Sequence, residues 1–194
     1  MASVSTQEFV DFVLTSGTGR ITQVKQMKAG VHVADFYRPV REAIADMHRS
    51  GLAENVLDDL LSSLVDPRER RIFPKAVNGY KKFLRSGKIV WFEPPMRDYP
   101  LGPISVRVAP EVGLLIDGRP HAIKLYFRGD PLSPQRIVVT NRLLSSALSA
   151  TWPGTVFAML DVRRARLYPY RPKSEVGLLL NAEAQCLASL HANL

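Results

Sequence analysis

The chain has 194 residues, 46% of them hydrophobic, which suits one large packed unit or a domain with a smaller lobe. No apolar run approaches the roughly 20 residues of a membrane span, and Glu8 and Asp11 near the start do not fit a basic region followed by an apolar leader, so a cytoplasmic protein with no membrane role is expected. A lone cysteine, Cys186, excludes an internal disulfide, and the charge of +8 (26 Lys+Arg against 18 Asp+Glu) is modest but unevenly placed.

Thr6 to Leu14 carries Phe9, Val10, Phe12 and Val13 at helical spacing, with Ser5 or Thr6 able to cap the helix. Ser16-Gly17-Thr18-Gly19 ends it as a turn and lacks the Gly-Lys-Ser/Thr ending of a phosphate-binding loop. A short helix over 20–28 follows, then one capped by Asp35 and running to Arg49, with Phe36, Val40, Ile44 and Met47 along one side. A helix over 52–65 is closed by Asp66-Pro67. The next, from Phe73 to Leu84, has Pro74 at an early position. Between Asp66 and Arg107 ten basic residues face four acids. Lys75, Lys81, Lys82 and Arg85 form the best phosphate-contacting surface, the candidate nucleic-acid-binding residues. A second basic cluster comprises Arg163, Arg164, Arg166, Arg171 and Lys173.

Ile89 to Phe92 reads as a strand and Glu93 to Pro103 as an irregular, proline-rich connector. Residues 104–128 read as a β-hairpin turning at Asp117-Gly118. A two- or four-residue loop puts Glu111, Gly113, Ala122, Lys124 and Tyr126 on one face, with Lys124 opposite Gly113 and near Glu111 and with His121 on the apolar face. A three-residue loop turns Lys124 to the other face. Ser133 as cap and Pro134 as first residue open a helix to about Ala150. Thr155 to Leu160 suits a strand buried on both faces, with Asp161 at its end and a short partner strand from Arg166 to Tyr170. The final helix, Glu175 to Leu190, bears an apolar stripe (Val176, Leu179, Leu180, Leu187, Leu190) that either closes the core or joins two copies into a homodimer.

From Pro74 onward the order is helix, strand, strand, strand, helix, strand, and Pro110-Glu111 stands at a compatible spacing from Ala122-Ile123-Lys124. In these features the chain resembles the PD-(D/E)xK nuclease-like fold, with Ala122 at the place of the second acid. Gly79-Tyr80-Lys81-Lys82-Phe83-Leu84, Trp91-Phe92-Glu93-Pro94-Pro95, Ile123-Lys124-Leu125-Tyr126-Phe127 and Leu160-Asp161-Val162-Arg163-Arg164 also look like a group of uncharacterised bacterial proteins. The nuclease resemblance implies an α/β (α+β) protein: a helical lobe over 1–72, then an αβββαβ mixed-sheet core of restriction-endonuclease-like type over 73–194, ending in the C-terminal helix.

Phosphodiester hydrolysis needs a hard cation, usually Mg²⁺, held by carboxylates, with a lysine to orient the attacking water. Glu111 and Lys124 are the candidate catalytic pair, and Glu111 and Asp161 the candidate metal ligands. Asp117, roughly 20 Å along the strand from Glu111, is too far to share their site. The leading expectation is a nucleic-acid-binding protein of nuclease-like fold whose metal site is weakened or lost. An active Mg²⁺-dependent DNA or RNA nuclease and a protein-interaction module are the alternatives.

Overall fold

The computed structural model describes residues 2–30, 35–85, 87–173 and 175–194. In chain order the elements are β1 (Ala2–Ser5), α1 (Thr6–Leu14), α2 (Gly19–Lys28), α3 (Arg38–Arg49), α4 (Val56–Ser63), α5 (Pro67–Leu84), β2 (Ile89–Phe92), β3 (Arg97–Leu101), β4 (Ile104–Val108), β5 (Val112–Ile116), β6 (Arg119–Tyr126), α6 (Pro134–Leu148), β7 (Val156–Asp161), a 3-10 turn (Val162–Arg164), β8 (Arg166–Pro169) and α7 (Glu175–Asn193). The chain is therefore mixed α/β. A five-stranded sheet runs β2-β5-β6-β7-β8 and a three-stranded one runs β1-β4-β3. Among the described residues no helix is long and apolar enough to cross a membrane.

The hairpin of β5 and β6 fixes the large sheet. Asp117 (φ 50°) and Gly118 (φ 81°) form the two-residue turn, the left-handed pair that matches the twist of antiparallel strands. The register that follows pairs Ile116 with Arg119, Gly113 with Ala122 and Val112 with Ile123. Alternation then sends Val112, Leu114, Ile123 and Leu125 into a core shared with α3, α4 and α5, and Ala122 into a second core shared with α1, α2, α6, α7 and the small sheet. β7 lies parallel to β6, and α6 makes the crossover between them, as parallel neighbours require.

Local signals hold where capping chemistry specifies them. Ser5 and Glu8 close a reciprocal capping box on α1, and Ser133 caps α6 by accepting from the Arg136 amide at 3.2 Å. Four expectations are corrected. α5 begins at Pro67, not Phe73: Asp66 accepts from the Arg68 amide at 2.7 Å, Pro67 takes the first turn, and Pro74 sits inside the helix. The helix thus runs straight through residue 72. Asp35 does not cap α3, whose first turn follows Tyr37; its carboxylate pairs with Arg41 instead.

The third correction concerns 93–103, which is not an irregular connector. β3 pairs with β4 across Gly102-Pro103, and Pro100 is accommodated because β3 is an edge strand whose proline removes no needed donor. Consequently 104–108 belongs to the small sheet, beside β1 in parallel, rather than to the central hairpin. Residues 2–28 are likewise built into the same core as α6 and α7.

The fourth concerns Leu179, expected on the apolar stripe of the C-terminal helix. Leu180, Ala184 and Leu187 are buried against α1, α2 and α6, whereas Leu179 is exposed with Leu178. That stripe closes the core of one chain, and nothing in it supports the homodimer.

Candidate functional site

The hairpin register brings Glu111 and Lys124 together. Glu111 lies one step beyond the last β5–β6 pair and donates its amide to the Ile123 carbonyl at 3.0 Å, so Lys124 stands across from Glu111 itself, not from Gly113. The Lys124 ammonium donates to Glu111 Oε1 at 2.5 Å and to the Ala109 carbonyl at 3.0 Å, and the Leu125 amide donates to Glu111 Oε2 at 2.8 Å. Both carboxylate oxygens are thereby engaged. Arg41 Nε approaches Oε1 to 3.7 Å from α3. The side chains of Lys124 and Glu111 keep only 14% and 11% of their exposure.

Asp161 does not join them. It is fully buried at the end of β7, caps the 3-10 turn by accepting from the Arg164 amide and is held by the Arg164 guanidinium at 3.2 Å. Asp117 likewise serves the turn, accepting from the Lys88 amide at 3.0 Å. Ala122 is buried, and among the described residues Glu111 is the one carboxylate bonded to Lys124, flanked by the two cations Lys124 and Arg41. Among the described residues no group of three or more metal-ligating side chains comes together. A hard divalent cation needs several free oxygen ligands, so this donor set as arranged does not fit Mg²⁺.

The pair lies in the wall of a cleft of about 590 Å³ at the carboxyl end of β6. Its acids are Glu8, Asp11, Asp35 and Glu111. Its bases, Arg41, Arg107, Lys124 and Arg128, equal them in number among the described residues. Phe36, Tyr37 and Phe127 supply an aromatic side, with the Tyr37 ring stacked on Phe127 at 5.3 Å. Tyr126, on the same strand face as Lys124, has its hydroxyl pKa raised by burial, against the opposing pull of Arg136 and Arg128. His121 is half-buried rather than packed inside. Desolvation lowers its pKa, and its Nδ1 meets the Arg119 carbonyl at 2.8 Å.

A second opening, of about 470 Å³, is a basic groove between α5 and the turn after β7. Lys75, Lys82, Arg163 and Arg164 line it beside Asn78, Gly79 and Gly129, with no acidic residue among the described ones. Two of the expected nucleic-acid contacts carry acidic partners. Lys81 is largely buried and bonded to Asp58 at 2.6 Å, and Arg85 pairs with Glu54 at 2.9 Å. Lys75 and Lys82 remain exposed on one face of α5, seven residues apart. Arg163 and Arg164 complete the groove, although charge counting placed them in a separate cluster. Gly79 is what unites the two: with no side chain there, α5 comes against the Val162 carbonyl.

One buried group carries a pH consequence. The Tyr80 hydroxyl and His48 Nε2 share a hydrogen bond at 2.6 Å, and the imidazole stacks on Trp91 at 5.6 Å. Burial lowers the His48 pKa to about 4 and raises that of Tyr80. In the unfolded chain His48 takes a proton near pH 6.5, while the folded chain resists until about pH 4, so stability falls as the pH drops through that window. Allowing for partial solvent contact, the loss expected is about 2 kcal/mol. Urea unfolding at pH 7 and pH 4.5 should show it in the wild type and show a shallower fall in His48→Gln. Equal falls in both would remove His48 as the cause.

No protein-family model, curated protein or solved structure matches the chain.

Proposed function

We propose that this protein binds nucleic acid through the basic groove, on a nuclease-like framework whose metal site is lost. The observation that carries the reading is the groove itself: four cations and no acid, assembled from α5 and the turn after β7. Such a lining suits phosphates, whose neutralisation releases counterions and dominates nucleic-acid affinity. Lys75, Lys82 and Arg163 carry no ion pair among the described residues, so they are free to make such contacts.

Two further features support the framework. The helix α5, strands β2, β5 and β6, crossover helix α6 and parallel strand β7 follow the order expected of the PD-(D/E)xK core, with β3 and β4 diverted into the small sheet. Both openings lie off the carboxyl ends of the parallel pair β6 and β7, where ligands of open α/β sheets bind. On that resemblance the Glu111–Lys124 pair would stand for the catalytic acid and lysine, while its bonds make it a clasp between strands.

Anisotropy titrations of labelled duplex DNA, single-stranded DNA and RNA across a salt series test this. Affinity should fall linearly on a log–log plot. Lys82→Ala combined with Arg163→Ala should reduce the slope by roughly two. Salt-independent or absent binding of all three would reject the proposal. The Glu111–Lys124 contact favours one rival reading, an active Mg²⁺-dependent nuclease. Cleavage by the wild type in Mg²⁺ that Lys124→Ala abolishes would establish that reading in its place.

A further inference from the structure

We infer that the cleft beside Glu111 and Lys124 is a nucleobase pocket. It would accept a single base from a strand whose phosphates lie in the basic groove, and in that respect the inference rests on the function proposed above. The two openings differ in the charge they would tolerate. The groove has four bases and no acid, whereas the cleft balances four against four. A phosphate in the cleft would meet as many carboxylates as cations, and a divalent metal would meet four cations and a Glu111 already bonded through both oxygens. A neutral ligand with its own donors and acceptors suffers neither penalty.

The lining supplies what such a ligand needs. Gln23 Oε1 and Arg41 Nε, from two residues that line the cleft, are closed off from solvent without a hydrogen-bond partner among the described residues, Arg41 Nε standing 3.7 Å from Glu111 Oε1: one unused acceptor and one donor held only by a long ion pair. Unpaired buried groups of this kind are rare and costly, and a ligand carrying the complementary pattern would satisfy both after a small side-chain adjustment. A nucleobase carries N–H donors and carbonyl or ring-nitrogen acceptors around its rim, so one base can serve a separate acceptor and donor. Phe36 and Tyr37, half-buried, add an aromatic side, Tyr37 with one face already stacked on the buried Phe127, and aromatic rings are the usual partners for an unstacked base. The volume of about 590 Å³ falls within the ~300–1,000 Å³ range of small-molecule sites.

Position joins the two openings. Phe127 and Arg128 line the cleft and Gly129, the next residue, lines the groove. A strand tracked by Lys75, Lys82 and Arg163 therefore passes beside the mouth of the cleft, and one unstacked nucleotide can turn into it.

The test separates a free nucleoside from a base within a strand. Calorimetric titration of the whole protein with adenosine, guanosine, cytidine and uridine should give binding by at least one. A single-stranded oligonucleotide carrying 2-aminopurine should brighten on binding as that base leaves its stack. Gln23→Met should weaken nucleoside binding about tenfold, the effect of one unmade hydrogen bond, and leave the salt slope of oligonucleotide binding unchanged. Thr15, which receives the Gln23 amide at 2.8 Å, keeps its own bond to the Asp11 carbonyl, and Arg41→Lys is a second variant should Gln23→Met fold poorly. Lys82→Ala with Arg163→Ala should show the reverse pattern. Tight oligonucleotide binding with no nucleoside binding and no 2-aminopurine change would overturn the pocket and leave the groove standing. Nucleoside binding without oligonucleotide binding would do the opposite. Wild-type nucleoside affinity in both folded variants would also overturn it.

Discussion

Lys124→Met is expected to destabilise the protein by about 3 kcal/mol, with no compensating change in the groove. The lysine and its partner are both nearly out of solvent, at 14% and 11% side-chain exposure, so removing the ammonium leaves a carboxylate that water reaches poorly. Breaking one half of a buried ion pair costs about 3–5 kcal/mol, and the lower end applies because the pair borders an open cleft. The Leu125 amide still serves Oε2, and Arg41, 3.7 Å from Oε1, offers only partial relief because it already serves Asp35. Glu111→Gln should cost a similar amount, since the ammonium loses its counter-charge and one amide oxygen must replace the two that serve Lys124 and the Leu125 amide. The double variant should be more stable than the sum of the two losses predicts, by more than about 1 kcal/mol, because neither charge is then left alone. Urea unfolding of the four proteins completes the cycle. Single variants within about 0.5 kcal/mol of wild type would mean that the pair is effectively solvated and contributes no clasp.

That pair was legible in the sequence because strand register obeys parity. Any even-length loop at Asp117-Gly118 puts Glu111 and Lys124 on the same face, and only the exact partner depended on counting to two rather than four. The helix caps at Ser5 and Ser133 were legible for a related reason: their chemistry is complete within four residues. What stayed hidden was long-range. Nothing local distinguishes 104–108 from 112–116, so the small sheet, which needs β1 from the other end of the chain, could not be seen. Pro74 looked like a helix start because an interior proline costs roughly 3 kcal/mol in isolation, a penalty outweighed here by the burial of Phe73, Ala76, Val77 and Tyr80 around it. The candidate nucleic-acid surface divided along the same line. Composition located the cations, but Asp58 and Glu54, 23 and 31 residues away from their partners, neutralise Lys81 and Arg85, and no spacing rule reaches that far. The buried His48–Tyr80 bond, 32 residues apart, left no local trace either.

Gly79→Ala should cost about 2 kcal/mol or more in stability and weaken nucleic-acid binding even where the protein stays folded. A Cβ on Gly79 would overlap the Val162 carbonyl oxygen and lie 3.0 Å from the Cα of Arg163. These are backbone atoms in a turn fixed by the Asp161 cap at one end and by left-handed Ala165 (φ 52°) at the other, so they cannot rotate aside. Either α5 retreats or the turn unwinds. Overpacking of this kind costs about 1–3 kcal/mol or more, while alanine's better helix propensity returns about 1 kcal/mol, so the sign is set by the clash. The consequence for function follows from position. Lys75 and Lys82 lie one turn before and one turn after Gly79 on the same side of α5, and Arg163 and Arg164 lie on the segment it touches. Separating the two moves both pairs of cations apart at once, which should lower affinity for duplex DNA or RNA without changing the protein's charge. Asn181→Ala, exposed on α7 and lining neither opening, should stay within about 0.5 kcal/mol of wild type and bind normally. Wild-type stability and affinity in Gly79→Ala would show that the helix and the turn tolerate separation, and that their close approach does not set the spacing of the groove.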